Sequence, residues 1–314
     1  LAISCLAMYS NYKSIFFLFL IVFGLRFFGQ GAMTHAGETT MARYFGSNRG
    51  KAISFGSFGG QIGVMFLPLI VVMLLKVMDW NHVWLVVSFS IIIIFIPLLF
   101  LSLRNQTNRH LNFKRINNTP DSGKKWKTRD VIFDKRFYIY LPLSIAAPFI
   151  STGLMFHQIF IINQKNWTLD MFASGYVLLG FFSVIGLVFG GPIIDKFNTK
   201  KLIIYTLLPL FLGVLILVFF EGYISMFIYL SLLGLNMGIS APFIGSLWAE
   251  LYGLESLGTV RALLHACAVF ASALSPVIFG YIIDLGMGIV TISMIGIIII
   301  IFATILPIVY QNNQ

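Results

Sequence analysis

Continuous apolar runs constrain this chain more than any other feature. They fall near residues 1–11, 14–37, 53–75, 83–103, 137–162, 172–194, 202–220, 224–248, 262–283 and 288–310. A helix needs about 20 apolar residues to cross a bilayer. All but the first run reach that length, which predicts nine full spans and a stub. The runs are unbroken rather than alternating, so they read as helices and not as barrel strands. The chain is 58% hydrophobic and only 10% charged, against about 25% charged in an ordinary soluble domain. No soluble core could hide that much apolar surface, so lipid is the solvent for most of the molecule.

The net charge of +10 would point to nucleic acid in a soluble protein. Its distribution gives a different reading. With connectors alternating sides, one side carries Arg43, Arg49 and Lys51, ten Lys/Arg within 104–136, then Lys196, Lys200, Lys201 and Arg261. The other carries only Lys13, Lys76 and Lys165, and Arg26 lies within a span. Seventeen against three is a topology signal. The positive-inside rule places the 104–136 connector and the C-terminus of a multi-pass protein in the cytoplasm, and no nucleic-acid partner is expected. The high Ile, Lys, Asn and Phe content points to a bacterial source and hence to the inner membrane. That connector is rich in Asn, Lys and Pro and has no apolar periodicity, so it reads as a flexible linker with a short surface helix near Thr128–Phe133. Cys5 and Cys267 lie in apolar runs and read as small core residues.

A weak internal repeat adds a second constraint. Gly31, Ala42 and Gly46 recur about 207 residues later as Gly238, Ala249 and Gly253, and with small shifts Ala52 and Pro68 find Ala262 and Pro276. Such a repeat means two similar halves, and in membrane transporters two halves hold a substrate between them. On this register the first half should begin about 70 residues before Leu1. The expectation is therefore an N-terminally truncated chain whose full form has twelve helices in two groups of six.

Three motifs carry a resemblance to the major facilitator superfamily. Arg26-x-x-Gly29-Gln30-Gly31 resembles the family's fourth-helix motif, and Arg49-Gly50-Lys51-Ala52 resembles the turn entering its fifth. GPIIDKFNTKK at 191–201 resembles the loop signature G-x-x-x-D-[RK]-x-G-[RK]-[RK], with Asn198 in place of the usual Gly. Asn tolerates a left-handed backbone, so the turn survives. The nearest flavour is the monocarboxylate-type and oxalate/formate-type permeases. The resemblance implies an all-α integral membrane fold of two pseudo-symmetric six-helix bundles, here the end of helix 3 through helix 12. Residues 1–103 would be a partial N-terminal bundle, 104–136 the cytoplasmic linker and 137–314 the C-terminal bundle.

The candidate site residues follow from the cost of polarity in lipid. Arg26 lies near the middle of its span, where a lone charge costs from about 3 to more than 10 kcal/mol. It must face protein or a wet cavity, and Gln30 four residues on shares its face. It is either a structural arginine or an anion or proton-relay site. His157 and Gln158 interrupt an apolar run and predict a break in the helix. Asn236 sits between Gly234 and Gly238, where the glycines read mainly as close packing. His265 follows Arg261 by one turn. The two histidines are the groups that could carry a coupling proton. The glycines at 56, 59, 60 and 63 and the small residues of 262–275 are expected to let helices approach closely. The gating motif comprises Glu38, Arg49, Gly50, Gly191, Asp195, Lys196, Lys200 and Lys201.

These features point to a monomeric secondary transporter that moves a small polar or anionic metabolite, first of all an organic carboxylate, by alternating access. A hydrophobic-drug exporter of the same fold and a non-transporting membrane sensor are the alternatives. There is no P-loop of the G-x-x-x-x-G-K-[ST] type, no zinc spacing and no persuasive Ser/His/Asp pattern, so no cofactor, metal or enzymatic activity is expected. In the family, the Asp of the loop signature caps the start of a neighbouring helix while the cytoplasmic side is closed. Asp195→Asn is therefore expected to shift the protein toward inward-open states, read as faster thiol labelling of cysteines placed on that face. Unchanged labelling contradicts the gate.

Overall fold

The computed structural model describes residues 1–10, 14–33, 36–37, 49–104, 126–196, 202, 205–253 and 256–312. Those residues are helices joined by short turns, with no strand among them. Eight helices are long and apolar enough to cross a membrane: Ile15–Met33, Phe58–Leu75, Trp80–Ser102, Lys135–Phe156, Leu169–Gly190, Tyr223–Tyr252, Leu257–Asp284 and Ile289–Gln311. The ninth expected span, 202–220, is shorter than its apolar run: its helix is Leu208–Phe219, with twelve residues. Pro209 sits in the first turn of that helix. A proline there is pre-set for helix and has no N–H to lose, which fixes the start beside it.

The chain divides into two compact units, one of residues 1–63 and 67–120, the other of 64–66 and 121–314. In the first unit the elements are α1 (Ala2–Tyr9), α2 (Ile15–Gly24) continuing as a π-helix over Leu25–Met33, α3 (Arg49–Leu75), α4 (Trp80–Ser90) with a π-helical stretch Ile91–Phe95, and α5 (Ile96–Leu103). Ser88 on α4 donates to the Ala2 carbonyl at 2.9 Å, and a Cβ on Gly24 would meet the Ser4 hydroxyl at 2.6 Å. The glycines of α3 behave otherwise than expected. A Cβ added at Gly59 or Gly60 meets nothing within 4 Å, and at Gly63 it meets only Leu67 of the same helix.

The second unit holds α6 (Thr128–Ile132), α7 (Lys135–Phe156), α8 (Gln158–Gln164), α9 (Leu169–Lys196), α10 (Leu208–Phe219), α11 (Tyr223–Tyr252), α12 (Leu257–Asp284) and α13 (Ile289–Asn312). Here glycine packing decides the closest approach. A Cβ on Gly238 would strike the Ser183 carbonyl, one on Gly234 the Leu179 carbonyl, and one on Gly186 the Leu235 carbonyl at 2.7 Å. Gly190 faces Pro242 at 2.9 Å. Two small-xxx-small pairs, 186/190 on α9 and 234/238 on α11, thus interlock, backbone to backbone at Gly186, Gly234 and Gly238 and against the Pro242 ring at Gly190. The sequence reading of Gly234 and Gly238 as packing glycines matches this; Gly186 and Gly190 went unremarked.

At the α7 end nearest the linker, polar and aromatic groups tie several elements together. Asp134 caps α7, accepting from the Arg136 backbone at 2.9 Å, and forms a two-pronged pair with the Arg136 guanidinium at 2.9 and 2.6 Å. Burial works against the Asp134 carboxylate, but the Arg136 hydrogen bonds and charge outweigh it and hold its pKa below the ordinary value. The guanidinium lies 5.4 Å from the ring centres of both Trp126 and Tyr252. The Trp126 backbone N–H donates to Ser256 Oγ at 2.7 Å, and Trp248 stacks on Tyr252 while its Nε1 donates to Ser144 at 3.0 Å. With Val131 fully buried, residues 126–134 are a built part of this unit. The short helix expected near Thr128–Phe133 is α6, and its apolar residue is the anchor.

Because an α9–α11 contact at Gly238 is backbone on backbone, Gly238→Ala has no flexible side chain to push aside. It is expected to cost about 1–3 kcal/mol or more and to lower the melting temperature of the purified protein. Gly258→Ala, where an added Cβ meets nothing within 4 Å, is the neutral control. Equal melting of the two variants contradicts the packing account.

Candidate functional site

Arg26 stands in the π-helical part of the span Ile15–Met33, eleven residues from its start and seven from its end. π-helical hydrogen bonding, from i to i+5, is rare and recurs at functional sites. Nothing in the sequence reading anticipated it, although the run Gly29-Gln30-Gly31 is a plausible cause, since glycine leaves the helix backbone easy to distort. The Arg26 side chain is exposed on its own unit. The Gln30 backbone belongs to the same π-helical stretch, and its side chain lies outside the described residues.

In the second unit the expected break is present. α7 ends at Phe156, His157 takes φ −94° and ψ 24°, and α8 starts at Gln158. His157 Nε2 lies 2.9 Å from the carbonyl oxygen of Pro276 on α12. A carbonyl only accepts, so Nε2 carries the proton and donates. Gly280, one turn after Pro276, makes room: a Cβ there would meet the imidazole at 3.4 Å. Gly153 does the same one turn before, where a Cβ would strike Ser275 and Phe279. Gln158 turns the other way and accepts the Tyr176 hydroxyl of α9 at 2.7 Å. The His–Gln pair therefore joins α7/α8 to α12 on one side and to α9 on the other. Ser151 and Ser275, both buried, have hydroxyls without a partner in this unit.

Two further candidates of the same unit, Asn236 and His265, lie elsewhere. Asn236 is fully buried and its amide donates to the Thr206 carbonyl at 2.8 Å, fastening α11 to the turn before α10. His265 lies on the exposed face of α12, as does Arg261 one turn earlier, whose guanidinium approaches the Gly245 position at 3.1 Å. Gly191, Asp195 and Lys196 form the last turns of α9, and Arg49 and Gly50 open α3; their side chains lie outside the described residues. Glu38, Lys200 and Lys201 also lie outside them. Among the described residues, no three His, Cys, Asp or Glu side chains gather as a metal site. Sequence reasoning missed Tyr176 and the Pro276 carbonyl. No local pattern marks either, because each acts across a helix pair rather than along one.

Among the described residues, eight helices of membrane-crossing length and apolarity and no strand mark a multi-pass membrane protein. The particular family is shown by direct comparison: the chain belongs to the Major Facilitator Superfamily, whose family model matches residues 1–276 and again 158–313. Residues 158–276 take part in both matches, as a chain with two similar halves allows. No curated protein matches it. Members of this superfamily are secondary transporters, and that general function is the chain's own.

Proposed function

We propose that this protein carries a small polar or anionic metabolite, an organic carboxylate before others, across the bacterial inner membrane by alternating access, with the 104–136 linker and the C-terminus in the cytoplasm. The observation that carries the reading is the placement of Arg26 midway along a membrane span and within a π-helical stretch. A guanidinium is always charged and offers a planar fork of donors that matches a carboxylate. Lipid is a costly neighbour for it, so a water-filled path or an anionic partner is the physically sensible surrounding.

His157 and Gln158 are the second element of the proposal. The imidazole sits at the break between two helix segments, with Nε2 committed to Pro276 and Nδ1 left to exchange a proton. The Tyr176 hydroxyl occupies the Gln158 carbonyl oxygen, which leaves the amide N–H groups to donate to a substrate acceptor. Proton coupling through His157, with His265 as the other membrane histidine, fits a carboxylate cargo, because carboxylate and proton moving together transfer no net charge. The resemblance to monocarboxylate-type and oxalate/formate-type permeases supports the same cargo class.

Uptake of labelled formate, oxalate and lactate into proteoliposomes holding the purified chain tests the proposal. Arg26→Ala is expected to lower uptake of the transported acid at least about tenfold, in line with loss of one partner of a buried charge contact. Arg26→Lys, which keeps the charge and loses the fork, should retain part of it. Carboxylate uptake indifferent to Arg26→Ala, or transport confined to hydrophobic cations, contradicts the reading.

A further inference from the structure

The turn between α8 and α9, Gln164-Lys165-Asn166-Trp167-Thr168, lies at the end of the second unit opposite Trp126 and Asp134. It reaches more helix ends than its length demands. Gln164 Oε1 accepts the Ile289 N–H at 2.7 Å, the first amide of α13, and a side chain on Gly288 would crowd that oxygen at 3.1 Å. Lys165 donates to the Phe220 carbonyl at 3.0 Å, just past the end of α10, and to Glu221 Oε1 at 2.8 Å. Trp167 Nε1 donates to the carbonyl of Gly222 at 3.0 Å, and Gly222 is the residue before α11. Thr168 Oγ1 accepts the Met171 N–H at 3.4 Å in the first turn of α9.

The local backbone makes this reach possible. Asn166 has φ +53°, and it is the only non-glycine residue with positive φ among the described residues. That left-handed turn brings the Trp167 N–H back to the Ile162 carbonyl at 2.9 Å, closing α8 in the manner of a Schellman cap. Helix ends carry unsatisfied N–H or C=O groups, and at this end of the unit one pentapeptide satisfies or neighbours the ends of α8, α9, α10, α11 and α13. The lysine is the most committed member. Its side chain is 2% exposed, whereas Glu221 is 74% exposed. An ion pair with so exposed a carboxylate is screened by water and contributes little. The buried ammonium is held chiefly by the Phe220 carbonyl, at a helix C-terminus, where a cation is favoured.

We infer that the 164–168 turn is a common fastener that couples the stability of the ends of α8, α9, α10, α11 and α13, so that losing one of its contacts loosens ends held by the others. Independent caps would predict only local loosening when one contact is lost. A shared fastener predicts loosening at ends the altered residue never touches.

Hydrogen–deuterium exchange of the full chain in lipid nanodiscs separates the two. Lys165→Met is expected to speed exchange about three- to tenfold, the range of one lost hydrogen bond, in peptides covering 219–225 and also in those covering 286–291. Gln164→Ala, which deletes a single neutral acceptor, should do the same in reverse, reaching 219–225. It carries the test alone if Lys165→Met lowers the yield of folded protein. Glu221→Gln should leave both segments at wild-type rates. Loosening confined to the segment each residue directly touches, or no change in either segment, overturns the inference.

Discussion

Backbone and side-chain polar groups inside a membrane have no water to fall back on, and this constraint shapes the whole second unit. Several of its intramembrane polar side chains are bonded to neighbouring elements. Asn236 is bonded to the Thr206 carbonyl, Trp248 to Ser144, Gln158 to Tyr176 and His157 to the Pro276 carbonyl. Each bond fixes a helix–helix register that apolar contact alone would leave free to slide, since lipid tails are as apolar as leucine. The glycine pairs of α9 and α11 work with the same logic. They bring backbones close enough for van der Waals contact to replace the hydrophobic drive that a bilayer lacks.

Against that background two places stand apart. One is His157, where the backbone itself breaks and a titratable ring sits between helix segments. The other is Arg26, a permanent charge on the exposed side of a π-helical stretch in the first unit. Within the spans of the second unit, the side chains that join helices without titrating are amides, hydroxyls and an indole. A guanidinium in mid-span is a costlier choice than fastening requires, which is why it carries the functional proposal. At the linker end, Asp134, Arg136, Trp126 and Tyr252 show how the same residue type is used for structure. There the guanidinium has a two-pronged carboxylate and two aromatic rings at 5.4 Å.

Much of the fold was legible because it is written in local pattern. Unbroken apolar runs gave the helices, and the family motifs at Arg26, Arg49 and Gly191 led to the superfamily that the family match then showed. The adjacent His157 and Gln158 signalled a break because two polar residues rarely share an apolar run. Pro209 was equally readable and was passed over, so the 202–220 span was expected to be longer than α10 is. What stayed illegible is pairing across helices. The amide N–H of Asn236 is paired with the Thr206 carbonyl, thirty residues away, and no sequence pattern marks that pair. Close packing was expected at Gly59, Gly60, Gly234 and Gly238; it is found at the last two and at Gly186 and Gly190 facing them, while a Cβ at Gly59 or Gly60 meets nothing within 4 Å. A glycine pair states that an approach is possible, and only the partner helix decides whether it happens. The π-helix at Leu25–Met33 has no sequence period of its own to announce it.

The central claim is that position 26 lies on a wet path that opens alternately to the two sides of the membrane. Single-cysteine labelling measures this directly: Arg26→Cys, in a background without Cys5 and Cys267, is treated in membrane vesicles of both orientations with a membrane-impermeant maleimide. The account predicts labelling of the position 26 thiol from both sides of the membrane. A position 26 thiol that reacts only with lipid-soluble reagents would contradict it.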